Sequence, residues 1–229
     1  MTLADLITLF REEAFDSLPG YIPVVGVPAP YQWSDSILKL YANEAQIEAC
    51  RRADLLLDSA SSFCKPVFTS GDPIIPLDPR IVDVKRIRDV SQYVQLQPIS
   101  ALEMDRKRPG WEMHTGTIPL CVVTEYQTNA LRLYPIPMRD GELTMTVQRL
   151  PLADMVADTD TPEILPEYHP ALAQWMLYRA YSKQDTETCD PAKAEKALAK
   201  FTQEFGEARS ARNETWRRNR VETHIDPIA

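Results

Sequence analysis

The residues that could move a proton or hold a metal are few and scattered. Three histidines, His114, His169 and His224, occur in the chain. None has a second histidine or a cysteine at the three- or four-residue spacing that places two ligands on one helix face. His169 opens a predicted helix, where an imidazole meets backbone or a neighbouring carboxylate. His114 falls in a predicted loop and His224 in a predicted tail. Carboxylate pairs are plentiful: Glu12 with Glu13, Glu44 with Glu48, Glu103 with Asp105, and Asp158 with Asp160. Glycoside hydrolysis needs two carboxyls facing one cleft at a set separation, and nothing in these spacings selects such a pair. A solvated acidic face is the reading preferred here. No serine sits in a GxSxG elbow. The chain has 7 glycines and 19 prolines. With so little glycine it offers neither GxGxxG nor GxxxxGK[ST], so the dinucleotide and phosphate-loop fingerprints are absent. No catalytic residue, cofactor site or metal site is predicted.

The four cysteines, Cys50, Cys64, Cys121 and Cys189, form no CxxC pair and are read as reduced and structural. The 229 residues are 44% hydrophobic and 25% charged, with a net charge of −8, which suits a folded, soluble chain and disfavours non-specific attachment to nucleic acid. No apolar run approaches the roughly 20 residues that cross a bilayer, so no membrane partner is expected. The N-terminus carries acids early and lacks a basic leader, unlike a secretory signal.

The elements that would position these residues fall into two kinds. Leu6, Leu9 and Phe10 predict a first helix over 3–15, closed by Pro19 and Gly20. "GYIPVVGVPAPYQW" is broken by proline and glycine and reads as an extended connector. Ser34 is the N-cap of a long second helix, with Asp35 in its first turn. Its stripe of Leu38, Ala42, Ala45, Ala49, Ala53 and Leu56 is rich in alanine and predicts close approach of another helix. Glu48 and Arg52 stand at the favourable i,i+4 spacing.

Residues 63–150 change character. Short stretches rich in β-branched and aromatic residues alternate with period two, as half-buried antiparallel strands do. The Asp-Gly in "PMRDGE" predicts a hairpin joining "ALRLYPIP" to "ELTMTVQRL". "ISALEMDRKRPGW" adds about two helical turns. An acidic crossover, "LADMVADTDTPEIL", leads to "PEYHPALAQWMLYRAYSKQD", a helix apolar or aromatic on nearly every side. Asp190 and Pro191 then open a final helix with a buried stripe of Ala194, Ala197, Leu198, Phe201, Phe205 and Ala208.

The resulting expectation is an α+β chain: a helical bundle of about four helices with an inserted small antiparallel β domain. Its parts are an N-terminal helical part (1–60), a β-rich insert (61–160), a C-terminal helical pair completing the bundle (161–208) and a basic docking tail (209–229). The tail carries Arg209, Arg212, Arg217, Arg218 and Arg220 around Trp216, with Glu214 as its one acid up to residue 220. Three readings stay open for it. It is a solvated helix end whose cations complement the dipole, a docking arm built from the residue types enriched at interface hot spots, or a DNA contact.

"WSDSILKLYANEAQIEACRRADLLLD", "GTIPLCVVTEYQTNALRLYPIPMRDGELTMTVQRLP" and "PEILPEYHPALAQWMLYRAYSKQDTETCDPAKAEKALAKFTQEFG" together resemble the long first helix, middle strands and closing helical pair of tailed-phage head-to-tail adaptor (connector) proteins. The resemblance covers residues 33–206. It implies a structural virion protein rather than an enzyme, located at the head-tail junction and assembled in the bacterial host cytoplasm. It also implies a homo-oligomeric ring, commonly of twelve copies. Its implied partners are the portal protein, a tail or nozzle protein, and genomic DNA in transient non-specific contact during ejection. The alternative is a peptidoglycan hydrolase associated with the phage tail, an activity reported for some phage adaptors.

In a ring each subunit makes a heterologous contact on two sides. The helix at 166–185 then packs inward with Leu172, Ala173, Met176, Leu177 and Ala180, and sideways with Trp175 and Tyr178 at the subunit interface. Without the ring, the same pattern describes a helix at the centre of a monomer core.

Overall fold

A computed structural model describes residues 1–16, 31–183 and 189–210. Five α-helices lie in this part of the chain: α1 (Leu3–Ala14), α2 (Asp35–Ala53), α3 (Ala101–Lys107), α4 (His169–Tyr181) and α5 (Pro191–Phe205). Two compact units form. One comprises Met1–Leu55 with Pro151–Ala208, and the other Leu56–Leu150, with which Arg209 and Ser210 also group.

The first unit holds α1, α2, α4 and α5. Helix α1 starts in a capping box: the Asp5 amide donates to Thr2 Oγ1 at 3.2 Å, and the Thr2 amide donates to Asp5 Oδ2 at 2.8 Å. These bonds satisfy two of the amides a helix start leaves open. Phe15 ends the helix in the left-handed region, at φ 53°. Helix α2 presents Leu38, Ala42, Ala45 and Ala49 inward, all fully buried. Their small size lets α4 approach, as the alanine stripe predicts. Asp190 caps α5 by accepting from the Lys193 amide at 3.1 Å. Leu3, Phe10, Trp33, Leu38, Met176 and Ala180 belong to one shared core. Trp33 meets Phe10 and Tyr181 edge-on, with ring centres 5.4 and 5.7 Å away. The last helix ends at Phe205, so Ala208 is exposed and is not part of the buried stripe.

The second unit contains eleven strands in three sheets. In chain order they are β1 (Leu57–Asp58), β2 (Val67–Phe68), β3 (Ile74–Pro76), β4 (Ile81–Asp89), β5 (Val94–Gln95), β6 (Gln97–Ser100), β7 (Thr115–Gly116), β8 (Cys121–Gln127), β9 (Ala130–Tyr134), β10 (Ile136–Pro137) and β11 (Gly141–Arg149). The largest sheet runs β1-β11-β4-β5, with β2 also on β11. A second runs β3-β9-β8-β6, and β7 pairs with β10 in a small third. Ile81, Val84, Ile87, Leu143, Met145 and Val147 from the first sheet share a core with Ile75, Val122, Leu131 and Leu133 from the second. The next residue on β8, Val123, points the other way, into a smaller core with Met104, Trp111 and Tyr134. That reversal is the two-residue alternation of a strand buried on both faces.

The expected bundle of about four helices with a small antiparallel insert is therefore corrected. The described residues form five α-helices and three sheets, and the β-rich unit has its own helix and two cores. Nor is it purely antiparallel, because β6 pairs with β8 and β7 with β10 in parallel. Proline marks one of the breaks. Pro135, which lacks the amide that a continuous ladder needs, stands between β9 and β10, and the chain leaves the second sheet there for the third.

The hairpin expected at Asp140-Gly141 is also absent. Strand β9 pairs with β3 and β8, whereas β11 pairs with β1, β2 and β4. Gly141 is required for another reason: a Cβ there would run into the ring of Phe68 on the neighbouring β2.

Candidate functional site

Most of the paired carboxylates contact other groups of the fold. Glu13 accepts from Gln174 at 2.7 Å. Glu48 holds Arg51 and Arg52 at 2.9 and 2.7 Å, and Glu44 faces Arg179 at 3.2 Å. Glu103 pairs with Lys107 at 2.6 Å, while Asp105 accepts from the Trp111 indole at 2.8 Å. Asp158 pairs with Lys39 at 2.7 Å, and Asp160 Oδ2 accepts the Val156 and Ala157 amides, each at 2.8 Å. Those two amides hold the Asp160 carboxyl below its usual range. His169 is buried with Nε2 2.9 Å from the Ile164 carbonyl. His114 Nδ1 lies 3.2 Å from the Tyr134 hydroxyl, which also accepts from Arg108 at 3.0 Å. Among the described residues no group of three His, Cys, Asp or Glu could hold a metal ion. His224 lies outside them.

One largely buried ion pair joins β1 to β11. Asp58 on β1 accepts from Arg149 Nε on β11 at 2.7 Å and from the Ser61 hydroxyl at 2.6 Å. Burial pushes its carboxyl up, but the Ser61 hydroxyl, the Ser61 and Ala60 amides and Arg149 together hold it far below the carboxylate range. Cys64, beside it, is pushed up to about 11 by burial and by the charge of Asp58.

Trp175 and Tyr178 lie on α4, half-buried, with ring centres 5.2 Å apart. One side of Trp175 packs on Phe201 of α5 at 5.1 Å. The Arg52 guanidinium of α2 stands 5.4 Å from the Trp175 ring centre. Tyr178 rests against the shared helical core. Of the predicted tail, Arg209 is half-buried near the end of the described chain. Arg212, Trp216, Arg217, Arg218 and Arg220 lie outside the described residues.

A second surface was not foreseen as a site from the sequence. On the outer face of the largest sheet, Arg88 stands opposite Thr144 and Arg86 opposite Thr146. With Val90 and Tyr93 they line a shallow recess. The signal was present in "KRIRDV", where two arginines alternate with a buried isoleucine and so must share the outward face.

The family model for the SU10 adaptor protein matches residues 1–223 of the chain, across both units. The chain belongs to the SU10 adaptor protein family. This is a phage head-to-tail adaptor family, so the protein is a phage adaptor and a component of the virion. An SU10 adaptor works among other head and tail proteins, and such a role is structural. No curated protein matches the chain. Among the described residues no helix of this SU10 adaptor is long and apolar enough to cross a membrane.

Proposed function

We propose that the chain forms a closed homo-oligomeric ring, of twelve copies, that joins the portal to the tail or nozzle and lets DNA through its channel without enzymatic turnover. The observation that carries this reading is the family match over residues 1–223, which takes in the helical and the β-rich unit alike. Physical features agree with it. The net charge of −8 leaves passing phosphates without a general grip, since a basic wall would slow them by electrostatic binding. Most of the paired carboxylates make ion pairs or hydrogen bonds within the fold.

Within this reading, the exposed parts of Trp175 and Tyr178 contribute to the subunit interface. The basic tail from Arg209, with Arg212, Trp216, Arg217, Arg218 and Arg220, docks on the portal through arginine-carboxylate pairs and burial of the indole. Electron microscopy of the purified chain mixed with its portal tests the whole reading. A ring of subunits seated on the portal is expected, and a chain that stays monomeric beside the portal overturns it. Deletion after Ala208 tests the tail: the shortened chain should stay folded and lose portal binding, and undiminished binding would remove the docking arm. Release of soluble fragments from peptidoglycan by the purified chain would overturn the non-enzymatic role.

A further inference from the structure

We propose that the Arg86/Arg88 face of the largest sheet is one half of a contact between copies of this chain. The other half is the acidic crossover around Asp154 and Val156 of the next copy. This deepens the ring reading above and rests on it.

The sheet face is an unusual place on an acidic chain. Arg86 and Arg88 project from the same side of β4, two residues apart, with the hydroxyls of Thr144 and Thr146 directly opposite. Neither acid of the same strand neutralises them. Asp83 is paired with Lys85 at 2.7 Å, and Asp89 is paired with Arg139, which reaches it from outside the strand. Glu142 lies on the outward side of β11, yet among the described residues no carboxylate forms an ion pair with either arginine. Arg88 instead lies over the Tyr93 ring, 5.3 Å from its centre. Tyr93 is 77% exposed, and Val90 and Val94 beside it are 37% and 40% exposed. Uncompensated guanidiniums bordered by an exposed tyrosine and two valines match the composition of protein interfaces.

The crossover has the complementary chemistry. Asp154 is exposed and, among the described residues, has no ion pair or hydrogen bond. Asp158 keeps most of its carboxylate in solvent although Lys39 touches it. Leu152 and Val156 alternate with these acids, and Val156 is 72% exposed. This irregular segment is nonetheless held firmly. Asn43 of α2 donates to the Met155 carbonyl at 3.0 Å and accepts the Met155 amide at 2.8 Å. Lys39 donates to the Val156 carbonyl at 2.9 Å, and Gln46 accepts the Glu163 amide at 2.6 Å. The Leu3 amide donates to the Asp160 carbonyl at 2.7 Å. Asp154 and Val156 are thus presented on a fixed backbone, which lowers the ordering cost of docking. One chain carries both halves, so the contact is heterologous and builds a ring when its rotation closes. A nucleic acid would meet the arginines but would leave Val90, Val94 and the acidic crossover unused.

The test is a charge swap in the full chain, read by sedimentation velocity, with circular dichroism to verify folding. R86E/R88E and D154R should each weaken self-association about tenfold or more, and the chain carrying all three changes should regain assembly. R86Q/R88Q serves if the reversed pair fails to fold, and should weaken assembly in the same direction. Rings formed equally well by R86E/R88E overturn the inference alone. So does weakening that D154R does not restore, which would assign the face to another virion protein or to DNA. A wild-type chain that forms no ring, either alone or on its portal, overturns the ring reading as well.

Discussion

The indole of Trp175 on α4 and the ring of Phe201 on α5 lie with centres 5.1 Å apart and planes inclined by 48°. Phe201 is fully buried, and Arg52 reaches across from α2 to both rings while its guanidinium donates to Thr202 Oγ1 and the Gly206 carbonyl, each at 3.2 Å. A helix apolar on nearly every side therefore has α5 against one of the faces that α1 and α2 leave uncovered.

From this packing, Trp175→Ala should lower the stability of the isolated subunit by about 2 kcal/mol, roughly half the cost of truncating a fully buried aromatic. Its melting temperature should fall by about 5 °C. If the outward part of the ring also meets a neighbour, self-association measured well below the melting temperature should weaken too, and Trp175→Phe should recover the stability more fully than the assembly. A melting temperature within a degree of wild type would show that the contact with Phe201 contributes little.

The Asp58–Arg149 pair should make the β-rich unit sensitive to acid. The folded carboxyl is depressed, so it contributes stability above its ordinary value of 3.8, and that contribution is lost as pH falls below 3.8 through the folded value. Asp58→Asn removes the charge and leaves Arg149 buried without it, at a cost of about 3 kcal/mol at neutral pH. Urea midpoints of both chains measured from pH 7 downwards should converge at acid pH. A constant gap would mean that the pair does not titrate as its bonds require.

The four cysteines should sort by environment. Cys50 and Cys64 are buried, and the Cys64 thiol is further protected by its raised pKa of about 11. Cys121 is partly buried, with its thiol also raised by burial, while Cys189 is exposed. Only the thiolate reacts. A thiol reagent at pH 8 should therefore modify Cys189 first and Cys121 slowly, and reach Cys50 and Cys64 only in denaturant. Peptide mass spectrometry over a time course reads this order directly, and early labelling of Cys64 would contradict it.

What could be read from the sequence was mostly local. The cap at Asp190, the α2 stripe from Leu38 to Ala49 and the buried set Leu172, Ala173, Met176, Leu177 and Ala180 follow from side-chain type and period alone, whereas Ala53 is only half-buried and Leu56 lies past the helix end. Ser34 does precede α2, but its hydroxyl faces Ser36 at 3.0 Å rather than capping an amide. The Asp-Gly turn failed because the choice of partner strand is not local. Gly141 answers to Phe68, a residue on a strand far earlier in the chain. The arginine face was not foreseen for a related reason. That Arg86 and Arg88 share one side follows from alternation, but which carboxylates lie near that side in space does not. Only folding pairs Asp83 with Lys85 and brings Arg139 to Asp89 on the inward side.

Asn43 anchors the acidic crossover. Asn43 makes two bonds with the backbone of Met155, one as donor and one as acceptor, and so fixes both polar groups of a single peptide-linked residue. Asn43→Ala leaves that amide and carbonyl without their partners, at about 1–3 kcal/mol for a buried group. Met155 is itself 4% exposed and belongs to the helical core, so the loss should be felt in stability. It should also be felt in position, because Asp154 and Val156 flank the released residue. Asn43→Asp preserves the acceptor and loses the donor, and should fall between wild type and alanine. Hydrogen exchange at the Met155 amide, followed alongside global unfolding, separates the two effects. Faster exchange there with the global rate nearly unchanged is the expected result, since opening would then be confined to the crossover. Exchange that rises everywhere in proportion would show that Asn43 supports the whole helical core rather than this segment.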